Sequence, residues 1–305
     1  MHVAPHGAQM HVAPHGAQMH VVLRAALWMT GAIAAFTFMA VGGRELSGSY
    51  DTFEIMLYRS AVGVVIVGGF VALNRRWHEL RFDRFGAHFI RNICHFTGQN
   101  LWFYAVAVIP LAQVFALEFT SPLWVALLAP LILGEKMTWF RGLAAVLGFT
   151  GILIVARPTV GGFEIGLAAA AVAALFFALT NMLTKRLTRD NSITSILFFL
   201  TTIQLVFGLL TAGFDGDIAP PTADSALFLV LVGCAGLLAH FCLTNALAIA
   251  PATVVVPLDF ARLPVIAIIA MVLYNEPLEI WVFVGAAVIF AANYLNIWNE
   301  TRKWA

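Results

Sequence analysis

The chain has 305 residues, of which 61% are hydrophobic and 11% are charged, and its net charge is +1. Its mean hydropathy is +0.89. Soluble domains carry about 45–50% apolar and about 25% charged residues, so the composition excludes an ordinary soluble protein and favours one that faces lipid. The balanced charge gives no sign of a nucleic-acid partner. The three cysteines lie in apolar runs, which predicts buried thiols and no disulfide framework.

The N-terminus is a direct repeat. The nonapeptide MHVAPHGAQ occupies residues 1–9 and again residues 10–18. It lacks the basic start and the apolar stretch of a signal peptide, so we predict that residues 1–20 form a disordered tail. Metal binding by its histidines is the alternative, and we assign no metal site.

Ten apolar stretches follow in chain order, each near the length of about 20 residues that a helix needs to cross a bilayer. Charged or Pro/Gly-rich segments separate them, and tight turns at Pro110 and Pro251 separate two pairs. The predicted spans are approximately 22–42, 53–73, 87–108, 111–133, 138–156, 164–187, 193–213, 224–246, 251–273 and 280–298.

The basic residues predict the orientation of these spans. With a cytoplasmic N-terminus, twelve of the 17 Lys and Arg residues lie in or beside inside loops, and only Arg44 and Arg157 lie in outside loops. Cytoplasmic loops of membrane proteins are enriched in Lys and Arg. We therefore predict that both termini are cytoplasmic, in the plasma membrane (the inner membrane of a bacterium).

The two halves of the chain align without a gap at a shift of 141 residues. The shift superposes residues of special character: Pro110 on Pro251, Glu118 on Asp259, Phe119 on Phe260, and Glu135 on Glu276. Five spans per half is an odd number, so the second half is predicted to be inverted. The predicted fold is an all-α integral membrane protein of ten transmembrane helices, formed by two inverted five-helix repeats (21–160 and 161–299) around a central cavity, with a cytoplasmic tail at 300–305.

A family resemblance supports this organisation. The run LAPLILGEKMTWFRGLAAVLGFTGILIVARP and the tripeptide Leu57-Tyr58-Arg59 resemble EamA-type members of the drug/metabolite transporter superfamily. The resemblance covers residues 22–298 and implies a ten-helix bundle whose cavity is lined by spans 1–4 and 6–9. The second half departs from the pattern, with Asn275-Glu276 where Gly-Glu is usual. Family members carry amino acids, nucleotide-derived compounds, vitamins and drugs, so the fold does not name the cargo.

Ionisable residues at membrane depth are the first candidates for a solute site, because burying them in lipid is costly. Glu118 lies near the middle of span 4, and Asp259 and Arg262 lie near the middle of span 9. We predict that they form the charged floor of a cavity. The alternative is that Asp259 and Arg262, three residues apart on one helical face, only neutralise each other.

Polar stripes on two further spans extend the candidate site. His95, Gln99 and Trp102 share one face of span 3, and His240 and Thr244 share one face of span 8. Hydrogen bonds between helices are the alternative role for these groups. Asn181 and Trp28 complete the predicted cavity wall. Kinks that bend during transport are predicted at the following prolines: Pro122, Pro257 and Pro264.

No enzymatic signature is present: the sequence has no Walker loop, HExxH, paired-cysteine metal site or GxSxG. We predict no enzyme activity and no cofactor. The hypothesis we favour is secondary active transport of small amphipathic or zwitterionic metabolites by alternating access, and among these we favour amino-acid efflux. The predicted partners are a lipid bilayer and a small-molecule substrate. Coupling to a proton is possible in this hypothesis but not required by it. The alternative is uptake of a planar or cationic metabolite, such as a vitamin or S-adenosylmethionine. A channel or a membrane enzyme is disfavoured because the polar groups cluster at mid-depth.

Overall fold

The computed structural model describes residues 15–133, 139–156, 164–214, 216–251, 255 and 258–302. Most of the predicted tail and the kink proline Pro257 lie outside the described residues. In chain order the described α-helices are α1 (His15–Leu46), α2 (Thr52–Leu73), α3 (Phe85–Val108), α4 (Leu111–Glu118), α5 (Ser121–Leu133), α6 (Trp139–Ala156), α7 (Ile165–Leu187), α8 (Ile193–Ala212), α9 (Ala223–Ile249), α10 (Arg262–Tyr274) and α11 (Ile280–Arg302). Short 3₁₀ turns lie at Arg76–Glu79, Phe82–Arg84 and Asp259–Ala261.

The outer faces of these helices are apolar. Large aliphatic side chains such as Leu27 (67% exposed), Val65 (74%) and Leu210 (68%) project away from the bundle. Contiguous apolar surface of this kind is rare on soluble monomers and is expected where helices meet lipid. The chain is therefore a multi-pass membrane protein.

Length and composition alone support six of the ten predicted crossings. These are Val21–Leu46, Thr52–Leu73, Leu111–Leu128, Ile165–Leu187, Ile193–Ala212 and Ala223–Ile249. Helix α3 is long enough but carries buried polar side chains, including His88, Arg91, Asn92 and His95. Gly142–Val155 and Ile280–Leu295 are apolar but shorter. The count of ten crossings stays a prediction.

The predicted fourth and ninth spans are interrupted. Helix α4 ends at Glu118, a turn at Phe119 and Thr120 follows, and α5 begins at Ser121. Pro122 and Pro264 therefore occupy the first turns of α5 and α10, where proline costs no helical hydrogen bond. In span 4 the ends of α4 and α5 lie beside Glu118, and in span 9 a 3₁₀ turn that contains Asp259 precedes α10. Bending at these prolines during transport stays a prediction.

Contacts between the two halves occur in matched pairs. Helix α1 packs on α9, and its counterpart at the 141-residue shift, α7, packs on α3, which is the counterpart of α9. Helices α2 and α8 pack on each other, as do α6 and α11, and each of these is a pair of counterparts. Exchange of the halves therefore preserves the packing. The opposite orientation of the halves in the membrane stays a prediction.

We expect Gly208→Ala to destabilise the protein by about 1–3 kcal/mol, because the added methyl group overpacks a helix contact. A Cβ atom at Gly208 would lie 2.8 Å from the Cα atom of Leu57, so the backbones of α8 and α2 would have to separate. Gly68→Ala is the control, since no atom of a neighbouring helix lies within 4 Å of the position that its added methyl group would take. Denaturant unfolding in detergent measures both, and equal stability of the two variants would contradict the prediction.

Candidate functional site

A cavity lies between the two halves, at the level where α4 ends and α10 begins. Helices α1, α3, α4, α7, α9 and α10, with the Asp259–Ala261 turn, contribute its wall. The lining residues are Met29, Phe36, Met39, His95, Gln99, Trp102, Glu118, Phe177, Thr180, Asn181, His240, Leu243, Asp259 and Arg262. A position between two related halves is typical of solute sites in transporters.

Arg262 joins both acids at one end of the cavity. Its Nη2 atom donates to Oε1 of Glu118 at 2.6 Å and also to Oδ2 of Asp259. The Arg262 side chain is only 1% exposed. The predicted charged cavity floor and the predicted Asp259–Arg262 pair are therefore compatible. Arg262 pairs with Asp259 and also binds Glu118 of the other half.

Aromatic side chains hold this charged cluster in place. The indole Nε1 of Trp102 donates to Oε2 of Glu118 at 2.8 Å. The Arg262 guanidinium lies over the rings of Phe36 and Phe115, 4.9 Å and 4.6 Å from their centroids. Cation–π contacts of desolvated arginines contribute about 2 kcal/mol. The Oδ1 atom of Asp259 is buried and has no hydrogen-bond partner among the described residues, so it is available to a solute.

Two imidazoles face each other beside the charged cluster. The rings of His95 and His240 are 4.5 Å apart and perpendicular. Both nitrogens of His95, Nε2 of His240 and Nε2 of Gln99 are buried without a hydrogen-bond partner. Buried polar groups are normally paired, so four unpaired nitrogens on one cavity wall indicate groups held for a ligand or for water.

The cavity is contracted in this state. It contains about 550 Å³ of space between atoms, but only about 50 Å³ is wide enough for the centre of a water molecule. A single water needs roughly 10–15 Å³ by that measure. The space thus admits a few waters, and a metabolite can enter only when the surrounding helices move apart.

Five pairs of lining residues are counterparts at the 141-residue shift. They are Phe36 and Phe177, Met39 and Thr180, Gln99 and His240, Trp102 and Leu243, and Glu118 and Asp259. The cavity thus has approximate two-fold symmetry in position, while the members of most pairs differ in chemistry. The positions of the lining residues are therefore nearly symmetric, but the chemistry of the cavity surface is not.

The structure brings eight of the ten predicted site residues to the cavity: His95, Gln99, Trp102, Glu118, Asn181, His240, Asp259 and Arg262. Trp28 instead packs edge-on against Phe241, with ring centroids 5.6 Å apart. Thr244 is 1% exposed and is not among the described lining residues. Sequence reasoning missed Met29, Phe36, Met39, Phe177, Thr180 and Leu243. The 141-residue shift, applied to every polar or aromatic candidate, would have found Leu243 from Trp102.

The described residues contain no group of three His, Cys, Asp or Glu side chains arranged for a metal ion. The chemistry of the site is therefore that of charge, hydrogen bonding and aromatic contact. Fold and cavity together define a class: a helical membrane protein that encloses a polar site between two related halves.

The chain belongs to the EamA-like transporter family, whose model matches it twice, over residues 23–157 and 164–298. It is 26% identical to an S-adenosylmethionine uptake transporter of Rickettsia prowazekii, over 92% of this chain and 95% of the relative. It is 29% identical to a riboflavin transporter of Vibrio cholerae over the same shares. A solved crystal structure shares the fold with a TM-score of 0.66 at 18% identity, covering 92% of this chain and 99% of that chain.

Proposed function

We propose that this transporter imports a planar, nitrogen-rich metabolite with positive charge, of the S-adenosylmethionine kind, by alternating access. The observation that carries the proposal is the excess of negative charge in the cavity. Glu118 and Asp259 supply two carboxylates, Arg262 supplies one cation, and Oδ1 of Asp259 has no partner. A cationic group beside Asp259 would complete the charge balance.

Low surrounding polarity makes this balance matter. Asp259 and Glu118 side chains are 16% and 14% exposed, and the Arg262 side chain is 1% exposed. Charges interact far more strongly here than in water, since the effective dielectric constant is lower. A sulfonium or ammonium group would therefore bind better than a neutral one.

The remaining wall suits a planar heterocycle. Phe36 and Phe177 present aromatic rings from opposite halves, and the unpartnered nitrogens of His95, His240 and Gln99 lie nearby. Ring stacking and hydrogen bonds to ring heteroatoms are the usual means of holding a base-like group. The wall and the carboxylates together match a solute with a heterocycle at one end and a cation at the other.

Amino-acid efflux, which the sequence favours, is supported less well. A simple amino acid has no net charge, so it would leave the excess negative charge of Glu118 and Asp259 over Arg262 uncompensated, whereas the sulfonium of S-adenosylmethionine gives that solute a net positive charge. The relative from Rickettsia prowazekii is named an uptake transporter. We therefore propose uptake. A coupling proton, carried by one of the two acids, is part of the proposal.

Riboflavin-like solutes are the second candidate. The relative from Vibrio cholerae is a riboflavin transporter with 29% identity. The unpartnered His and Gln nitrogens would serve an uncharged flavin as well as an adenine. A neutral solute would leave the extra carboxylate unbalanced, which is why we place it second.

Uptake of radiolabelled S-adenosylmethionine into vesicles is expected to be saturable and to fall at least about tenfold in Asp259→Asn, which corresponds to about 1.4 kcal/mol. The physical reason is loss of the charge that balances the solute cation. Asp83→Asn is the matched control, because Asp83 lies in an exposed ion pair with Arg81. An imposed proton gradient tests coupling in the same vesicles.

Competition by unlabelled solutes separates the candidates. S-adenosylmethionine and other cationic adenine derivatives should inhibit, while riboflavin and amino acids should not. Inhibition by riboflavin alone would replace the first candidate with the second. Trans-stimulated efflux of amino acids without uptake of either compound would overturn both.

A further inference from the structure

Two arginines are buried inside the bundle without a carboxylate partner among the described residues. Arg59 on α2 is 5% exposed and Arg91 on α3 is 1% exposed. Arg91 donates from Nε to Oγ1 of Thr184 at 3.1 Å and from Nη1 to Oδ1 of Asn92 at 3.3 Å. None of the ion pairs within the described part of the chain includes either arginine.

Arg59 is the less satisfied of the two. Its one described hydrogen-bond contact is a weak one, from Nη1 to the sulfur of Met56 at 3.9 Å, and its Nε atom has no partner. The sequence allows two roles for Arg59, reaching the membrane interface or holding an acid. Burial excludes the first, and the absence of a described carboxylate partner leaves the second without support.

The two cations also act on each other. Arg59 is close enough to Arg91 for mutual repulsion, and both repel positive charge on His95 and His240. An uncompensated charge in a membrane interior costs several kcal/mol, and such groups normally pair or mark a pathway. Two adjacent cations with no anion therefore require a negative partner that the described protein does not supply.

A small polar void lies directly against Arg59. It is lined by Arg59, Ser60, Gly63, Leu200, Thr201, Gln204, Gly233 and Leu237. Among the described residues, the Oγ atom of Ser60, the Nε atom of Arg59 and the Oε1 atom of Gln204 are buried without a hydrogen-bond partner. Ser60 and Arg59 can both donate hydrogen bonds into the void.

Arg91 is connected to the same void. Its partner Asn92 accepts through Oδ1 from Nε2 of Gln204 at 3.0 Å, and Gln204 lines the void. The void has about 10 Å³ wide enough for the centre of a water molecule. That is about the least space that one water molecule needs, so a chloride ion, which is somewhat larger, requires a small outward shift of the lining side chains, and a sulfate, a phosphate or a carboxylate is too large.

We propose that this void, between α2, α8 and α9, is a chloride site in which one halide ion neutralises Arg59 and, across the Gln204–Asn92 contact, the neighbouring Arg91. The ion accepts from Nε of Arg59 and from Oγ of Ser60. The site is separate from the solute cavity, and its occupancy does not depend on which solute is transported.

Gly236 provides a way to move the guanidinium without removing its charge. A Cβ atom at Gly236 would lie 2.4 Å from Nε of Arg59 and 3.0 Å from its Cζ atom. The Arg59 side chain lies directly on the α9 backbone there. Gly236→Ala therefore displaces the donor and keeps the cation.

The test is equilibrium binding of ³⁶Cl⁻ to the purified full-length protein in detergent, with gluconate as the replacing anion and with no organic solute present. We expect saturable binding of one chloride per chain and a Tm that rises with chloride concentration, as for any ligand of the folded state. Arg59→Met, Ser60→Ala and Gly236→Ala should each weaken binding at least about tenfold. Arg24→Met, which removes an exposed arginine on α1, should leave it unchanged.

Each outcome decides the proposal. Absence of saturable chloride binding by the wild-type protein would overturn it. Binding that Gly236→Ala and Ser60→Ala both retain would also overturn it, even if Arg59→Met fails to fold. Sulfate competing as strongly as bromide would overturn the halide-sized void. Loss of chloride binding with retained solute uptake, or the reverse, separates this site from the proposed transport function.

Discussion

Replacing Arg262 with methionine is expected to abolish uptake and to destabilise the folded protein by about 3–5 kcal/mol. Arg262 is the one described cation that touches both Glu118 and Asp259. Without it, two carboxylates face each other in a largely buried cluster, and the hydrogen bonds that join the two halves at this point are lost. Thermal unfolding in detergent and vesicle uptake measure the two effects.

A charge-free cluster provides the control. In the variant that combines Arg262→Met with Glu118→Gln and Asp259→Asn, no charge remains to be buried, so stability should recover in large part. Uptake should not recover, because no group is left to bind a solute cation. Wild-type stability of the single Arg262→Met variant would mean that the cluster contributes little to the fold.

The charged residues of the candidate cavity can be picked out from the sequence, because charge at membrane depth is rare and each instance is informative. Glu118, Asp259 and Arg262 stand out for that reason. Apolar and small wall residues such as Met39 could not be told from ordinary packing. Their position at the cavity depends on the packing of α1 on α9, and that packing could not be predicted from the sequence.

Arg91 is a residue whose burial could not be predicted from counting basic residues near the ends of the spans. Its position after a cluster of basic residues places it beside a cytoplasmic loop, yet helix α3 begins at Phe85 and the Arg91 side chain points into the bundle. The orientation rule uses sequence position near a span and does not see which helical face a residue occupies. The helical face therefore decides whether a basic residue near a span end indicates the cytoplasmic side or is a buried cation without a described carboxylate partner.

Asn275 explains a departure from the family pattern. Its φ is 53°, in the left-handed region, at the end of α10. Glycine and asparagine are the residues that most readily adopt this conformation at a helix end. Asn275 therefore adopts the left-handed conformation that glycine readily takes, and Glu276 follows it toward Arg44 of the bundle.

Glu276 connects the ends of several helices. It pairs with Arg44 at the end of α1, and its Oε2 atom accepts from the backbone nitrogen of Leu111 at 2.8 Å. Arg44 also donates to the backbone oxygen of Ile109 at 3.2 Å. The ends of α1, α3, α4 and α10 are thus joined through one ion pair.

The other half contains a related contact. Lys185, the counterpart of Arg44 at the 141-residue shift, donates to the backbone oxygen of Ala250 at 2.9 Å, and Ala250 is the counterpart of Ile109. A transporter that alternates between two open states needs a closing contact at each end. The two cations occupy the equivalent positions, and in the predicted orientation Arg44 is at the outer end.

Replacing Glu276 with glutamine is therefore expected to open the Arg44 end. Met39 lines the cavity on α1 near this end, so Met39→Cys reports access once Cys94, Cys234 and Cys242 are replaced. A membrane-impermeant thiol reagent should label it at least about tenfold faster, because loss of a charged hydrogen bond contributes about 1.5–3 kcal/mol toward opening.

The control separates this ion pair from an ordinary surface one. Asp190→Asn breaks the ion pair with Arg84; the two side chains are 47% and 50% exposed, and exposed pairs contribute about 0–1 kcal/mol. Labelling of Met39→Cys should not change in that background. Equal labelling rates with and without the Glu276→Gln substitution, measured from both sides of the membrane, would mean that closure rests on the packing of α1 against α9. The two matched cations would then be helix caps without a role in access.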